Sequence, residues 1–226
     1  MKCINCLDEN PDDLDLCPMC GFDLTEEKIF YEAIREFIDE EPAEELSPWR
    51  KSSKSGTFSD WVRLHIPLVE CINTSGSFLD ISCANGFMLE CLLEWTGHKG
   101  LVLMPFGLDH SFPVLESAKS RLPEYRDNFF LGNAWEWNPP RQFDYVRTEL
   151  TAVPASLRES YIQKLLDNFV APGGKILVSQ QRNHHEDLKN GWITDEIASY
   201  GYPVERYTRG FNWDGLELSR VAVLRK

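Results

Sequence analysis

The chain has 226 residues, which is enough for one medium-sized domain and a small appendage but excludes two full-sized domains. Its hydrophobic content of 42% is that of a globular protein, and it holds no apolar run near the roughly 20 residues that span a bilayer. The net charge of −13 is concentrated at the N-terminus, because residues 1–48 hold three Lys or Arg and fifteen Asp or Glu. Such an acidic segment repels a phosphate backbone and disfavours a nucleic-acid substrate.

Four cysteines open the chain in the spacing C-x2-C-x10-C-x2-C. Thiolates two residues apart reach one Zn²⁺ from a tight turn, and two such turns complete a closed tetrahedral site, which is structural rather than catalytic. The spacing predicts a zinc ribbon over residues 1–24, with disulfides or free thiols as the alternatives. The first residues, MKCINCLDENPDD, show no apolar signal region, so we expect a reducing, cytoplasmic location. The four predicted zinc ligands are Cys3, Cys6, Cys17 and Cys20.

An amphipathic helix and a linker are predicted over residues 25–57. The stretch TEEKIFYEAIREFID, from Thr25 to Asp39, places its apolar side chains on one helical face, with Thr25 as the N-cap. We expect the apolar stripe to pack on the ribbon or the main domain, and binding of a protein partner through this acidic segment is the alternative. The charged, Ser-, Pro- and Gly-containing stretch that follows has no period and predicts the linker.

Strands and helices alternate from residue 58 onwards. This pattern predicts an α/β domain over residues 58–226, with a parallel sheet covered by helices on both faces. We expect strands near 77–82, 105–109, 128–132, 143–148 and 174–180, and helices near 58–72, 86–95, 111–121, 157–170 and 189–200. The segments 204–209 and 216–225, joined by GFNWDG, predict a closing hairpin.

The first strand of this domain runs directly into a helix through the small-residue turn of FLDISCANGF. In an open α/β sheet the ligand lies at the carboxyl ends of the strands, so this turn is a candidate site. A dinucleotide fingerprint needs its third glycine where this chain has Phe87, which disfavours NAD and FAD. The stretch instead resembles motif I of the class I S-adenosylmethionine-dependent methyltransferases, D-x-G-x-G-x-G, with Asp80, Ser82, Ala84 and Gly86 in the four places.

Four later stretches, FGLDH, LGNAW, FDYVRTEL and VAPGGKILVSQ, resemble further motifs of that family in the same order. The resemblance implies a seven-stranded Rossmann-like sheet and S-adenosyl-L-methionine as the cofactor. It also implies that Asp109 accepts hydrogen bonds from both ribose hydroxyls and that Asn133 and Ala134 bind the adenine edge. The cofactor-binding residues expected in this way are Asp80, Ser82, Cys83, Ala84, Gly86, Asp109, His110, Asn133, Ala134 and Glu149.

Three polar residues are candidates for the chemistry. Methyl transfer depends mainly on placing and aligning a nucleophile, and it needs a general base only if the acceptor must lose a proton. At the end of the fourth strand, Glu149 is expected to hydrogen-bond the acceptor and Arg147 to clamp a carboxylate or phosphate on it, with a salt bridge to a neighbouring helix as the alternative. His184, in SQQRNHHEDL, suits a base for an oxygen acceptor, and a solvated loop histidine is the alternative.

The sequence therefore predicts an S-adenosylmethionine-dependent methyltransferase that acts on a small polar metabolite or a protein side chain. We expect the segment 49–61 to cover the acceptor. An RNA methyltransferase is one alternative, since some carry an N-terminal zinc ribbon, but the acidic N-terminus disfavours it. A degenerate cofactor-binding scaffold with the ribbon as an adaptor is the other, and Ser82 and Ala84 in place of glycines favour it.

Overall fold

The computed structural model describes residues 57–182 and 191–226, together with Leu16, Pro18, Met19, Pro48 and Trp49. The four cysteines of the predicted zinc ribbon, the predicted helix over 25–39 and His184 lie outside these residues. The ribbon, the linker and the domain boundaries therefore stay predictions.

A seven-stranded sheet organises the described part of the chain, in the order β3-β2-β1-β4-β5-β7-β6. The first five strands are parallel, and β7 runs antiparallel to both β5 and β6. The predicted parallel sheet with a closing hairpin is confirmed. The strands are β1 (Gly76–Ile81), β2 (Leu103–Asp109), β3 (Phe129–Leu131), β4 (Phe143–Thr148), β5 (Val170–Gln181), β6 (Arg206–Phe211) and β7 (Glu217–Arg225).

Helices occupy the connections between the strands. The α-helices are α1 (Phe58–His65), α2 (Pro67–Glu70), α3 (Phe87–Gly97), α4 (Phe112–Arg121), α5 (Arg158–Lys164) and α6 (Ile193–Ser199), and a π-helical turn, Leu165–Phe169, continues α5. Short 3₁₀ turns lie at Pro123–Asn128, Leu150–Ala152 and Ala155–Leu157. Among the described residues, none of the helices has the length and apolar character needed to cross a membrane.

The predicted helix over 58–72 is two helices in the structure. It begins as expected, because Thr57 Oγ1 accepts the backbone N–H of Asp60 while the Asp60 carboxylate accepts that of Thr57. It breaks before Pro67, which has no N–H to continue the hydrogen-bond ladder and begins α2 instead.

Strand β5 starts earlier than the sequence predicted. Val170 pairs with Phe143, but the next pair on this edge is Lys175 with Tyr145, so the Pro-Gly-Gly segment bulges out of the ladder. Gly173 takes a positive φ of 77° within the bulge, a conformation that glycine adopts without steric cost. The predicted Pro-Gly-Gly turn is thus a bulge inside one strand.

The sheet is buried on both faces. On one face, helices α1 to α4 pack over the strands around Trp61, Ile72 and Leu92. On the other, α5 and α6 pack around Tyr161 and Ile197. Strand β1 lies between β2 and β4 in the middle of the sheet, so Phe78, Leu79 and Ile81 are almost fully buried. The carboxyl ends of β1 and its neighbours are therefore held on a rigid scaffold.

Candidate functional site

A cavity of about 290 Å³ opens at the carboxyl ends of β1, β2 and β4. Strand order reverses between β1 and β4, and a switch point of this kind is where α/β sheets bind their ligands. Its walls mix apolar side chains with two carboxylates. The lining residues are Ile81, Ser82, Ala84, Leu108, Asp109, His110, Gly132, Ala134, Glu149, Thr151 and Ala152.

The turn after β1 keeps a left-handed backbone at all three small positions of the motif. Ser82 has φ of 62°, Ala84 of 48° and Gly86 of 72°. This conformation costs an L-residue about 1–2 kcal/mol and costs glycine almost nothing. Hydrogen bonds from Ser82 N and Cys83 N to the Leu108 carbonyl, at 2.8 and 3.1 Å, tie the turn to β2. Ser82 and Ala84 thus adopt a left-handed backbone conformation that strains them and that glycine would adopt without strain.

Asp109, at the end of β2, is the polar centre of the cavity. Its Oδ2 accepts Ala84 N–H at 2.9 Å and its Oδ1 accepts Ser111 N–H at 3.0 Å, so two backbone donors fix the carboxylate. A carboxylate has about four lone-pair sites, so each oxygen can still accept one further hydrogen bond from a ligand. His110 lies beside it, with Nδ1 at 3.8 Å from Asp109 Oδ1.

Gly86 and Cys83 belong to the motif but do not line the cavity. A Cβ on Gly86 would lie 3.1 Å from the Cβ of Ala118, so glycine lets the start of α3 pack closely on α4. The Cys83 side chain is buried in the core beneath the turn, and burial raises the pKa of its thiol well above the ordinary value. Both residues support the turn from below.

The segment after β3 is ordered by its own hydrogen bonds. Asn133 Oδ1 accepts Glu136 N–H at 2.7 Å, which closes a turn, and Ala134 lines the cavity. Trp137 packs against Phe130 with ring centroids 5.1 Å apart, within the core. The structure therefore brings Ala134 to the cavity and uses the Asn133 side chain oxygen to shape the backbone.

Asp80, Arg147 and Glu149 form a charged cluster beside the cavity. The Arg147 guanidinium donates from Nη1 to Asp80 Oδ1 at 3.1 Å, from Nη2 to Glu149 Oε1, and from Nε to Ser179 Oγ at 3.3 Å. Arg147 is buried and its partners lie on β1, β5 and the segment after β4 rather than on a helix. Its guanidinium is thus engaged by carboxylates of this chain.

Burial shapes the ionisation of this cluster. Burial raises the pKa of Asp80 to about 7, although the Arg147 charge pulls it back down. Burial also works against the charge of Arg147, but Asp80 and Glu149 outweigh it and its pKa is raised. Arg147 therefore stays positively charged in the interior.

On the far side of Arg147, His65 of α1 is held by two partners. Its Nδ1 lies 2.7 Å from the Trp61 carbonyl and its Nε2 lies 2.7 Å from the Gln181 amide nitrogen, so Nδ1 donates and Nε2 accepts. Burial, followed by the Arg147 charge, lowers the pKa of His65 to about 3. The ring is neutral near pH 7.

Pro48, the residue directly before the predicted acceptor cover, contacts the motif turn. Asn85, directly after Ala84, donates from Nδ2 to the Pro48 carbonyl at 3.0 Å. The Trp49 ring lies 5.4 Å from the Phe58 ring at the start of α1. Pro48 and Trp49 therefore lie on the side of the domain that carries the motif turn and the start of α1.

The sequence did not single out several residues that line the cavity. Thr151 and Ala152 follow Glu149 in a 3₁₀ turn, Leu108 is the last residue but one of β2, and Gly132 follows β3. Their position at the ends of parallel strands was the available signal. His184 lies outside the described residues, and among the described residues no cluster of three or more His, Cys, Asp or Glu side chains is arranged to hold a metal ion.

Models of protein families and curated protein sequences show no match to this chain. Solved structures do match its fold. The N-methyltransferase NodS from Bradyrhizobium japonicum WM9, in complex with S-adenosyl-L-homocysteine, has a TM-score of 0.60 at 14% identity, over 85% of this chain and 97% of that chain. The glycopeptide N-methyltransferase MtfA has a TM-score of 0.55 at 16% identity, over 70% and 87%.

The [4+2]-cyclase SpnF is also similar, with a TM-score of 0.53 at 12% identity over 74% of this chain and 82% of that chain. A shared fold does not fix the reaction, which depends on the residues of the cavity. The described domain thus has the class I fold of S-adenosylmethionine-dependent methyltransferases.

Proposed function

We propose that this protein is an S-adenosylmethionine-dependent methyltransferase that acts on a small polar metabolite or a protein side chain. The observation that carries the proposal is the turn after β1. Its backbone keeps the left-handed form at Ser82 and Ala84, where glycines would be unstrained, and it does so beside a cavity that holds the Asp109 carboxylate. Local strain of this kind clusters at functional sites.

The chemistry of the cavity fits the cofactor. Asp109 offers one further acceptor position on each oxygen for a ribose diol. Leu108 and Ala134 supply an apolar wall of the kind that a purine ring needs, and Ser82 and Ala84 let the ligand approach the backbone closely. Bound there, the cofactor would supply an activated methyl group. The residues that line the cavity would bind the cofactor and hold its methyl group in place.

The acceptor would lie beside Glu149, because this carboxylate lines the cavity and is 37% exposed. Glu149 would orient an acceptor amine or hydroxyl by hydrogen bonding, and Arg147, which is buried behind it, would hold the Glu149 carboxylate in place. His184 is proposed as a base for an oxygen acceptor, and the chain from Trp49 to Trp61 as the cover that excludes water.

Two measurements test the proposal. Calorimetry with S-adenosyl-L-homocysteine should show binding by the wild type. Incubation with methyl-labelled cofactor and fractions of a cell extract should then transfer label to a small molecule or a protein, and treatment with ribonuclease should not remove it. Label that ribonuclease removes would favour an RNA acceptor, and no binding at millimolar ligand would contradict the proposal.

A second candidate is a cofactor-binding scaffold that transfers nothing. The replacement of two motif glycines by Ser82 and Ala84 favours it, since each added Cβ crowds the ligand and weakens the cofactor binding that a catalyst needs. Binding of S-adenosyl-L-homocysteine without label transfer to any extract fraction would support the scaffold.

We also propose a structural zinc ribbon over residues 1–24, in a cytoplasmic protein whose N-terminal helix packs on the ribbon or the main domain, with binding of a protein partner through this acidic segment as the alternative. The support is the cysteine spacing, which suits one closed tetrahedral site. Elemental analysis should find about one zinc per chain, and Cys17→Ser should lower the zinc content. Cys91→Ser is the matched control, because Cys91 is a buried thiol of α3 and should leave the zinc content unchanged.

A further inference from the structure

A second cavity lies at the opposite edge of the sheet from the cavity described above. It has a volume of about 210 Å³ and opens at the amino ends of β4 and β5, beside the loop that leads into β1 and the end of β7. We call it the amino-edge cavity. Tyr145 of β4 lines it, whereas Glu149 lines the cavity at the carboxyl edge, so about 13 Å of extended chain separates the two. The amino-edge cavity is therefore distinct from the proposed cofactor site.

Lys175 brings a buried ammonium group to the amino-edge cavity. The residue is 6% exposed and lines the cavity, and its Nζ donates to Asn73 Oδ1 at 3.0 Å. An ammonium group has three donors, and within the described part of the chain Lys175 has this one hydrogen bond and no ion pair with a carboxylate. A buried charge is costly unless it is paired and hydrogen-bonded. Lys175 thus has two donors and a positive charge available to a ligand.

The walls on both sides of Lys175 are fixed. The Tyr145 hydroxyl lies 2.7 Å from Thr74 Oγ1 and accepts Thr74 N–H at 3.1 Å, which holds the loop before β1. On the other side, the bulge of β5 ends at Lys175, and a Cβ on Gly173 in this bulge would meet no atom within 4 Å. Bulges beside binding sites re-aim a side chain. The bulge therefore leaves an open approach to the ammonium group.

Arg225 adds a second set of donors at the rim. Its Nε and Nη2 donate to the two oxygens of Glu205, each at 3.0 Å, so the two side chains form a neutral pair. A guanidinium has five N–H donors, and within the described residues those on Nη1 have no acceptor. Arg225 can thus donate to a ligand without adding net charge to the cavity.

Asp144 also lines the cavity, but its charge is balanced from outside. Its Oδ2 accepts the N–H and the hydroxyl of Ser77, each at 2.7 Å. Burial works to raise the pKa of Asp144, but the Ser77 hydrogen bonds and then the Arg141 charge outweigh it, so the pKa is lowered. With Asp144 set against Arg141, the charge left unbalanced is the single positive charge of Lys175.

We propose that the amino-edge cavity is a second ligand site, which binds a small monocarboxylate through Lys175 and Arg225 Nη1. One negative charge matches the one unbalanced positive charge. A phosphate dianion carries a second negative charge, which the Asp144 carboxylate would repel. The inference goes beyond the proposed function and does not depend on it, because it concerns a different cavity.

A titration with matched small molecules tests the site. Acetate carries the charge, acetamide has nearly the same shape without it, and inorganic phosphate at about pH 8 carries close to two negative charges. In ¹H–¹⁵N NMR spectra of the full chain, at constant ionic strength, the amides of Thr74, Gly173 and Gly174 report on the amino-edge cavity. Those of Ala84 and Ser111 report on the carboxyl edge. Acetate should shift the first set in a saturable way, bind at least about fivefold more tightly than acetamide or phosphate, and leave the second set in place.

Three variants locate the binding groups. Lys175→Met removes the charge but keeps an unbranched stem beside the Tyr145 ring, and it should weaken acetate about tenfold or more. Lys119→Met is the matched control, because it removes the charge of a partly buried lysine in α4 and should change the affinity by less than about twofold. Arg225→Gln alters a half-exposed side chain, so it should fold even if Lys175→Met does not, and it should weaken acetate about threefold.

The outcomes separate the site from its alternatives. Equal affinities for acetate and acetamide, or no saturable shift at the amino edge, would overturn the inference, and tighter binding of phosphate would overturn the carboxylate assignment. Acetate affinity unchanged in both Lys175→Met and Arg225→Gln would also contradict it. Unshifted signals of Ala84 and Ser111 show that each variant is folded. The readout uses no cofactor, so a failure of the proposed function leaves this test intact.

Discussion

Replacing Ala84 with glycine is expected to stabilise this protein slightly, against the usual direction of that exchange. Ala84 holds φ at 48°, in the left-handed region, where its Cβ crowds the backbone. Its side chain faces the cavity and is only partly buried, so removing the methyl group sacrifices little packing. The hydrogen bond from Ala84 N to Asp109 uses the backbone and survives the exchange.

The magnitude follows from two opposing effects. Glycine relieves about 1–2 kcal/mol of left-handed strain in the folded state. It also restores about 0.4–1 kcal/mol of conformational entropy to the unfolded chain, which opposes folding. We therefore expect the free energy of unfolding of Ala84→Gly to rise by about 0–1.6 kcal/mol.

The same exchange at Ala198 is the matched control. Ala198 is exposed in helix α6, where glycine costs about 1 kcal/mol relative to alanine. The two variants should thus differ by about 1 kcal/mol or more, with Ala84→Gly unchanged or stabilised and Ala198→Gly destabilised. Urea unfolding of both variants, with equal m-values as a check on the unfolded state, measures the difference. Equal losses in the two variants would refute the claim that the turn is strained.

Three further predictions concern the cavity and the buried histidine. Asp109→Ala should weaken S-adenosyl-L-homocysteine by about 1.5–3 kcal/mol in calorimetry, the range for hydrogen bonds to a charged group, and unaltered affinity would remove the ribose contact. Ala84→Leu should abolish binding of S-adenosyl-L-homocysteine with little change in melting temperature, because the larger side chain would occupy the cavity that Ala84 lines. An unfolded variant would mean that Ala84 is a core residue. His65 has a folded-state pKa of about 3 against an ordinary value of 6.5, so its contribution to stability is present above pH 6.5 and is lost as the pH falls towards 3. His65→Gln should reduce the change in the free energy of unfolding between pH 6.5 and 3. The same exchange at the exposed His98 should leave that change as it is in the wild type.

The sequence by itself determined the fold class and the place of the site. Apolar strands that alternate with helices specify a parallel sheet, because the helices of the connections cover both faces of the strands. The predicted strands near 77–82, 143–148 and 216–225 match β1, β4 and β7 within a few residues. The small residues of the turn after β1 marked the carboxyl edge where ligands bind. Local pattern suffices for these features because they depend on residues close together in the chain.

The tertiary structure alone decided what the charged residues do. Asp80 and Arg147 are 67 residues apart, and their ion pair exists because β1 and β4 are neighbours in the sheet. Nothing in the local sequence indicates that Asp80 faces a guanidinium while Glu149 faces the cavity. The strain at Ser82 and Ala84 also needed the structure, because a sequence gives residue types and not φ angles. Contacts between distant strands and the backbone of a turn are set by packing, so they become visible only when the sheet is assembled.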